Sequence, residues 1–503
     1  MVSSPKPVGY TAITARYDLE VIPNRHASFI SHTSTHRTNL IGDEIEEIYP
    51  ARYWPGDSLG AHLEFALKYD GTNLAILAEL FNKAPEPEIL ECVLSKPTGK
   101  YTRRIWFLYE FLTEKKLPID DLQHGNYIPL LEPDEYYTFG SRKIFRQRII
   151  NNLPGNGNFC PLIRRTEVLR QFEASDLTES CRKKLASYPP EILQRALGYL
   201  YTKETKSSFG IEHVTPNASR TERFVALLKL AEEKDFCEKE FLLDLQNRIV
   251  DPRFKDSGYR TNQNYIGETI AWQGEHIHYV CPKPEDLPGL MEGWLAAHRQ
   301  MEEHDMPAVL HAAVIAYGFV FLHPFEDGNG RIHRFLIHNI LARRHFSPEG
   351  IMFPISAAML KHIKDYDNSL ETFSRRLMPL VEYSLDEMGT MTVSNETKNW
   401  YRFMDMTPQA EALYQFVDRT IETELLNELE FLARYDKTKR NIQEIVDMPD
   451  RKIDLFIRCC LQNNGRLSAR KRTNFFQFLT EEEIAGMEQA VQDSYDKSYG
   501  GDT

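Results

Sequence analysis

Twelve consecutive residues, His323-Pro-Phe-Glu-Asp-Gly-Asn-Gly-Arg-Ile-His-Arg334, bring together the parts that phosphate chemistry needs. Gly328 and Gly330 lie at what reads as a helix start, where backbone N–H groups converge on an anion with the helix dipole behind them. Arg331 and Arg334, three apart, occupy neighbouring positions on that helix and both reach a polyphosphate. Asp327 is the hard oxygen ligand that suits the Mg²⁺ accompanying a nucleotide. His323 stands where a general base is needed. Each part alone is ordinary: a histidine after a helix is most often structural, and GxG is a turn. Their joint occurrence in this order points to phosphate transfer. The spacing of His323, His333 and His338 matches no zinc pattern. No P-loop is present, since Gly99-Lys100 is followed by Tyr101 and lacks the upstream glycine.

These residues need rigid elements to hold them. Pro307 suits a first helical position, and the segment from Pro307 to Leu322 makes a helix of about 24 Å. Val309, Leu310, Val314, Ile315, Phe319, Val320 and Phe321 make it apolar nearly all round, so it runs through a core. His323-Pro324 ends it, because proline disfavours a helical residue before it. A second amphipathic helix follows, with Ile332, Phe335, Leu336, Ile340 and Leu341 on its inner face. Helical periodicity also marks Leu59 to Leu67, Leu74 to Phe81, Ile105 to Leu112 and Phe224 to Leu230. The best strand signal is Tyr265 to Tyr279, where Ile270-Ala-Trp and His276-Ile-His-Tyr-Val flank a hairpin turn at Gln273-Gly274. The chain is expected to be mainly α.

The chain has 503 residues and a formal net charge of −13, with the acidity spread along its length, which argues against a nucleic-acid coat or polycation. Polar stretches between Leu130 and Cys160 and between Gly389 and Asn399 suggest three domains: 1–154, 155–390 and 391–503. Seven cysteines without CxxC spacing suggest reduced thiols in a cytoplasmic protein. The N-terminus shows no secretory signal. The longest apolar run, Ala312 to Leu322, is shorter than the roughly 20 residues of a membrane span. A soluble protein with no membrane partner is expected.

The segment from His323 to Arg334 resembles the Fic-domain signature, HPFx(D/E)GNGRxxR, with every fixed position matched. The resemblance extends over roughly residues 200–385, through Gly258-Tyr-Arg, Ile266-Gly267 and Pro282-Lys-Pro-Glu-Asp-Leu-Pro-Gly-Leu-Met. It implies a Fic-type helical core with a small β-hairpin flap, flanked by helical N- and C-terminal domains. It also implies transfer of AMP from ATP to a Ser, Thr or Tyr hydroxyl of a target protein, or of the chain itself. Carried over by position, His323 takes the proton of the attacking hydroxyl and Asp327 holds Mg²⁺ against the α- and β-phosphates. Gly328, Asn329 and Gly330 form an anion hole, with Asn329 at the α-phosphate, and Arg331 and Arg334 bind the β- and γ-phosphates. Phe325 is a core anchor. Gly330 separates the chain from the Doc branch, which has Lys there and acts as a kinase.

The resemblance also covers an inhibitory helix, S/T-x-x-x-E-G/N, expected near 203–214. Ser208 and Glu212, four apart, share a helix face, and Glu212 is expected to pair with Arg334 and block the γ-phosphate. His213 departs from the usual Gly or Asn. The same glutamate orients a water in relatives that remove AMP, so a de-AMPylase or another nucleotide or phosphate transferase on this fold is an alternative. The 265–279 hairpin corresponds to the flap that holds a target peptide, and Tyr366 to the helix that closes the nucleotide pocket. Of the flanks, Lys96 to Tyr109 mixes basic and aromatic residues but reads first as an amphipathic helix with a solvated basic face. The C-terminal segment carries Asn463-Asn-Gly-Arg-Leu-Ser-Ala-Arg-Lys-Arg472. It reads either as a winged-helix-like DNA-binding module, which would make the chain a regulator with a nucleotide-sensing Fic domain, or as a contact for a helical partner or a homodimer. Its negative net charge favours the second.

Overall fold

The helix expected from Pro307 spans Ala308–Leu322, and every side chain from Val309 to Leu322 is buried. Pro307 is its N-cap, and His323 closes it in the left-handed region at φ 50°, outside the right-handed helix that the following proline disfavours. The computed structural model of the chain describes residues 5–32, 34–41, 44–270, 274–304, 306–348 and 351–495. Around the buried helix pack Leu287–Glu303, Asn329–Arg343 and Thr407–Arg419. Trp294 anchors the first of these by donating from Nε1 to the Ile315 carbonyl at 2.9 Å. Helices dominate, at 57% of the described residues, which makes the fold mainly α.

The β structure is confined to small sheets. Tyr265–Ile270 and Gly274–Val280 form the expected antiparallel hairpin, with a bulge between Ile266 and Gly267. Of its expected turn, Gln273 lies outside the described residues. The N-terminal part adds to its helices a sheet of Lys6–Pro7, His26–Ser31, Glu44–Pro50 and Arg37–Ile41, in that order. A second one, of Ile128–Pro129, Ile149–Asn151 and Arg142–Ile144, has strands of two or three residues. A purely helical flank does not describe this region. Such strands escape a reading by alternation: the second sheet's are too short, and Arg37–Ile41 is exposed at every position.

Two expected boundaries cut through packing. Tyr137 and Phe139, before the first boundary, share one hydrophobic cluster with the Ala308–Leu322 helix, as does the fully buried Phe159 in the Gly/Asn-rich segment at that boundary. The side chain of Asn156 satisfies the backbone N–H of Asn158 and Phe159 at 2.9 and 3.3 Å, so a polar stretch can present one apolar wedge. The Cys160 and Leu162 amides then donate to the carbonyls of Arg402 and Met404. That cluster also includes Trp400 through Leu432, so the central core continues past residue 390. A separate small core joins Ile442 to Asp450–Leu461, Glu481–Tyr495 and the loops between them. Its basic side chains Lys471 and Arg472 are engaged by Gln462 and Glu481, and among the described residues no strand follows Val393. All seven cysteines are free and buried. Among the described residues no helix is long and apolar enough to cross a membrane.

Gly293 admits the wedge: a Cβ there would stand 2.6 Å from the Phe159 backbone nitrogen. Gly293→Ala is expected to lower stability by about 1–3 kcal/mol, as overpacking against backbone does. A urea midpoint equal to that of the unchanged chain would contradict this account of the wedge.

Candidate active site

The loop from His323 to Gly328 is held by backbone contacts on several sides. Arg260, itself buried, donates from Nε to the His323 carbonyl at 2.8 Å and from its amide to the Pro324 carbonyl at 2.8 Å. Its two terminal nitrogens reach the Asn262 and Pro282 carbonyls, tying the hairpin's flanks to the loop. Phe325 is fully buried, as a core anchor should be. Asn329 clasps the Phe325 backbone, accepting from its N–H at 3.1 Å and donating to its carbonyl at 2.7 Å. In this structure the Asn329 amide therefore braces the loop.

His323 is part-buried, and its Nδ1 lies 3.1 Å from the Val320 carbonyl. A carbonyl can only accept, so Nδ1 carries the proton and Nε2 keeps its lone pair. Burial lowers the imidazole pKa to about 4, so the ring is neutral at pH 7. Asp327 Oδ1 accepts from the Gly328 N–H at 2.6 Å and pairs with Arg331 Nη2 at 2.8 Å, while Oδ2 has no protein partner among the described residues. A half-exposed carboxylate with one free oxygen suits Mg²⁺, which keeps several waters and takes one or two carboxylates beside substrate phosphates. The first N–H groups of the Asn329–Arg343 helix have no intrahelical partner, so Asn329, Gly330 and Arg331 present theirs at the loop.

Opposite this helix start lies the C-terminal end of the helix Pro190–Ile211. Glu212, its C-cap, places Oε1 2.7 Å from Arg334 Nη2 and Oε2 2.7 Å from Arg331 Nε. Ser208 adds two acceptors to Arg334, its Oγ at 2.9 Å from Nε and its carbonyl at 2.7 Å from Nη2. The Arg331 guanidinium also lies over the Phe209 ring at 5.4 Å. Burial works against the charge on Arg334, yet Glu212 and Tyr366 outweigh it and its pKa goes up. Tyr366 is buried, with its hydroxyl 3.4 Å from Arg334 Nη1. Gly330 is required for this approach: a Cβ there would stand 2.7 Å from Glu212 Oε1.

Residues 236–341 match the model of the Fic/DOC family. The chain contains a Fic domain. Over 125 residues it is 34% identical to "Protein adenylyltransferase Fic" of Culex quinquefasciatus, a stretch that is 24% of this chain and 22% of that protein. The same-named protein of Drosophila melanogaster is 34% identical over 125 residues, with the same shares, and that of Aedes aegypti 33%. The chain thus spans about a fifth of the length of these curated relatives. Among solved structures it is similar to a Fic family protein from Desulfovibrio desulfuricans G20, with a TM-score of 0.38 and 16% identity, covering 66% of this chain and 87% of that one. For a Fic domain containing signaling protein from Bacteroides thetaiotaomicron VPI-5482 the TM-score is 0.36 and the identity 20%, covering 51% and 97%.

The Fic domain holds contacts that the motif alone does not reveal. Glu204, two turns before Glu212, is fully buried, 2.8 Å from His338 Nε2, and accepts from the Ser356 amide at 2.9 Å and from its hydroxyl. Glu204, Ser208 and Glu212 thus form one stripe facing His338, Arg334 and Arg331 on the motif helix. The signal was present in sequence as polar residues four apart on one helix and at positions 331, 334 and 338 on the other, each interrupting an apolar face. Arg260 lies in the Gly258-Tyr-Arg stretch of the resemblance, but its bracing role left no such signal, since the partners of its side chain are all backbone carbonyls.

His213 occupies the left-handed position at φ 56°. Its amide donates to the Gly210 carbonyl at 2.9 Å and that of Val214 to Phe209 at 3.1 Å, which is the Schellman ending that Gly usually makes. The histidine is exposed, so His213→Gly loses few contacts and relieves the left-handed strain. A stability gain of about 0.5–1 kcal/mol is expected in equilibrium urea unfolding. A loss would show that the ring has an unrecognised role.

Proposed function

We propose that the chain is a Mg²⁺-dependent protein adenylyltransferase, which transfers AMP from ATP to a Ser, Thr or Tyr hydroxyl of a target protein and is held inactive by Glu212. The observation that carries this reading is the carboxylate of Glu212 bridging Arg331 and Arg334 at a helix start. Two buried guanidiniums on one face need an anion, and a carboxylate spanning them stands where phosphate oxygens would bind. The relatives' name, protein adenylyltransferase, supports the choice of reaction.

In the proposed reaction the target hydroxyl oxygen attacks the α-phosphorus of ATP. The bond from that phosphorus to the bridging oxygen of pyrophosphate breaks, and His323 Nε2 takes the hydroxyl proton. The neutral ring and its Nδ1–H contact to Val320 support this tautomer. Asp327 would hold Mg²⁺, which neutralises phosphate charge when bound. The free N–H groups of Asn329, Gly330 and Arg331, beside Gly328, form the anion hole, while Arg331 and Arg334 stabilise the departing pyrophosphate once Glu212 moves away. Tyr366, whose hydroxyl accepts from Arg334 Nη1 at 3.4 Å, would help to hold that arginine in place. The hairpin, whose two strands pair only with each other among the described residues, offers a free edge for an extended target segment. Seven free, buried thiols support a reducing, cytoplasmic setting.

The unchanged chain, Glu212→Gly and His323→Ala are to be incubated with ATP, Mg²⁺ and cell extract, and AMP additions read by mass spectrometry. Glu212→Gly is expected to label about tenfold or more above the unchanged chain, the effect of releasing a contact worth only ~1.4 kcal/mol. His323→Ala is expected to fall by about 10²-fold or more, the scale of a lost general base. Labelling that survives His323→Ala would sink the mechanism; equal labelling in Glu212→Gly would remove the inhibition.

The pH profile gives a second check. A histidine at its ordinary pKa would lose about tenfold of its neutral form between pH 7.5 and 5.5. With the pKa lowered to about 4, His323 stays neutral across that range. The single-turnover rate of Glu212→Gly is therefore expected to be nearly flat from pH 7.5 to 5.5. A fall centred near 6.5 would contradict the burial of the base.

A further inference from the structure

The bulge between Ile266 and Gly267 shifts the hairpin register so that Glu268 lies directly opposite His276. His276 and His278, two apart on one strand, point to the same face, while Ile277 and Tyr279 are buried on the other. The two imidazole rings converge, with centroids 4.5 Å apart, and His278 Nε2 lies 3.4 Å from Glu268 Oε1. One ligand atom from each of the three residues falls within 4.8 Å of the other two. Glu268 pairs with no Lys or Arg among the described residues, and its one close polar partner there is His278.

We propose that Glu268, His276 and His278 form a binding site for a borderline divalent cation, with zinc as the ion it fits. Two imidazoles and one carboxylate select such an ion over Mg²⁺ or Ca²⁺, which prefer all-oxygen sites. Bonds of about 2.0–2.2 Å to a common tetrahedral ion put ligand atoms roughly 3.4 Å apart. The side chains of His276 and Glu268 are exposed and that of His278 is 39% accessible, so closing from 4.8 Å takes only small rotations. Three protein ligands leave one position for water or for a side chain of a docked protein. A bound ion would cross-link the two strands and stiffen the hairpin.

A second group, Asp235, Cys237 and His298, meets the same distance test but is already a closed network. Asp235 is held by His298 Nε2 at 3.1 Å and by Arg343 Nη1 at 3.2 Å, and the other nitrogen of His298 by His311 at 3.0 Å. Cys237 is buried to the point that its thiol resists ionisation. That group has no unmatched charge for a cation to neutralise.

The test uses the untagged full chain without nucleotide, in excess Mg²⁺ to fill oxygen sites, titrated with ZnCl₂ by calorimetry. One zinc per chain is expected, with affinity reduced at least about tenfold by His276→Ala, by His278→Ala and by Glu268→Ala. Cys237→Ser is expected to bind as the unchanged chain does. Amide hydrogen exchange over residues 265–280 is expected to slow with zinc in the unchanged chain and not in His276→Ala. These substitutions are on the exposed hairpin face, and an unchanged thermal midpoint without zinc confirms that each variant is folded. No zinc binding by the unchanged chain, binding retained in all three hairpin variants, or binding lost in Cys237→Ser would overturn the site. None of these readouts depends on AMP transfer.

Discussion

Two guanidinium groups buried on one helix face, Arg331 and Arg334, set the terms for the rest of the structure. Arg334 is only 2% accessible and cannot shed its proton, so an anion has to stand against it. Glu212 meets that requirement for both arginines at once. The long helix Pro190–Ile211 must then end at this point, and Gly330 must lack a side chain to let the carboxylate in. Ser208 on the preceding turn completes the donors of Arg334. The place where that helix ends and the glycine at 330 follow from one electrostatic constraint.

The side of the site that the proposed reaction uses rests on a different principle, rigidity imposed through the backbone. His323 is fixed by the end of a helix that cannot bend, since all its faces are packed, and by Arg260 on its carbonyl. Its left-handed backbone is a strained state that persists because the surrounding contacts leave it no alternative. Asn329 performs the same service for the turn at Phe325. Among the described residues this leaves without protein partners Nε2 of His323, Oδ2 of Asp327 and the first amides of the motif helix.

Much of this could be read from the sequence. The buried helix, its end at His323-Pro324, the loop and the hairpin follow from spacing and residue type, because local periodicity and capping determine them. Spacing also puts Ser208 and Glu212 on one helix face, but the pairing of Glu212 with Arg334 is implied only by the resemblance to the Fic signature. The contact of Glu212 with Arg331 as well as Arg334 required coordinates, since either arginine satisfies the pattern. So did the wedge at Phe159, because a polar, Gly-rich stretch and a linker have the same composition and only tertiary packing separates them. Most strands of the small N-terminal sheets escaped for a related reason, being two or three residues long or exposed at every position. The longer His26–Ser31 and Glu44–Pro50 bury the polar Ser28 and Glu47, which breaks the apolar alternation. Arg260 is the instructive case. Its role is written in carbonyl positions, and backbone partners leave no trace in residue types.

The stripe of Glu204, Ser208 and Glu212 also constrains how the site can open. Glu204 is buried against His338 and Ser356, and moving the whole helix would strip a buried carboxylate of every partner, at a cost of several kcal/mol. Glu212 is different: it caps the helix, its side chain is about a quarter exposed, and an incoming polyphosphate offers its arginines more negative charge than it does. Under the proposed inhibition, opening is therefore a local event at the last turn, beyond Ser208, with the rest of the helix left in place. His213 holds that turn's end in a left-handed geometry that costs about 1–2 kcal/mol for a residue other than glycine, so the strain lies next to the group that has to move. The anchored end and the strained end of one helix divide the work between keeping the arginines covered and letting them go.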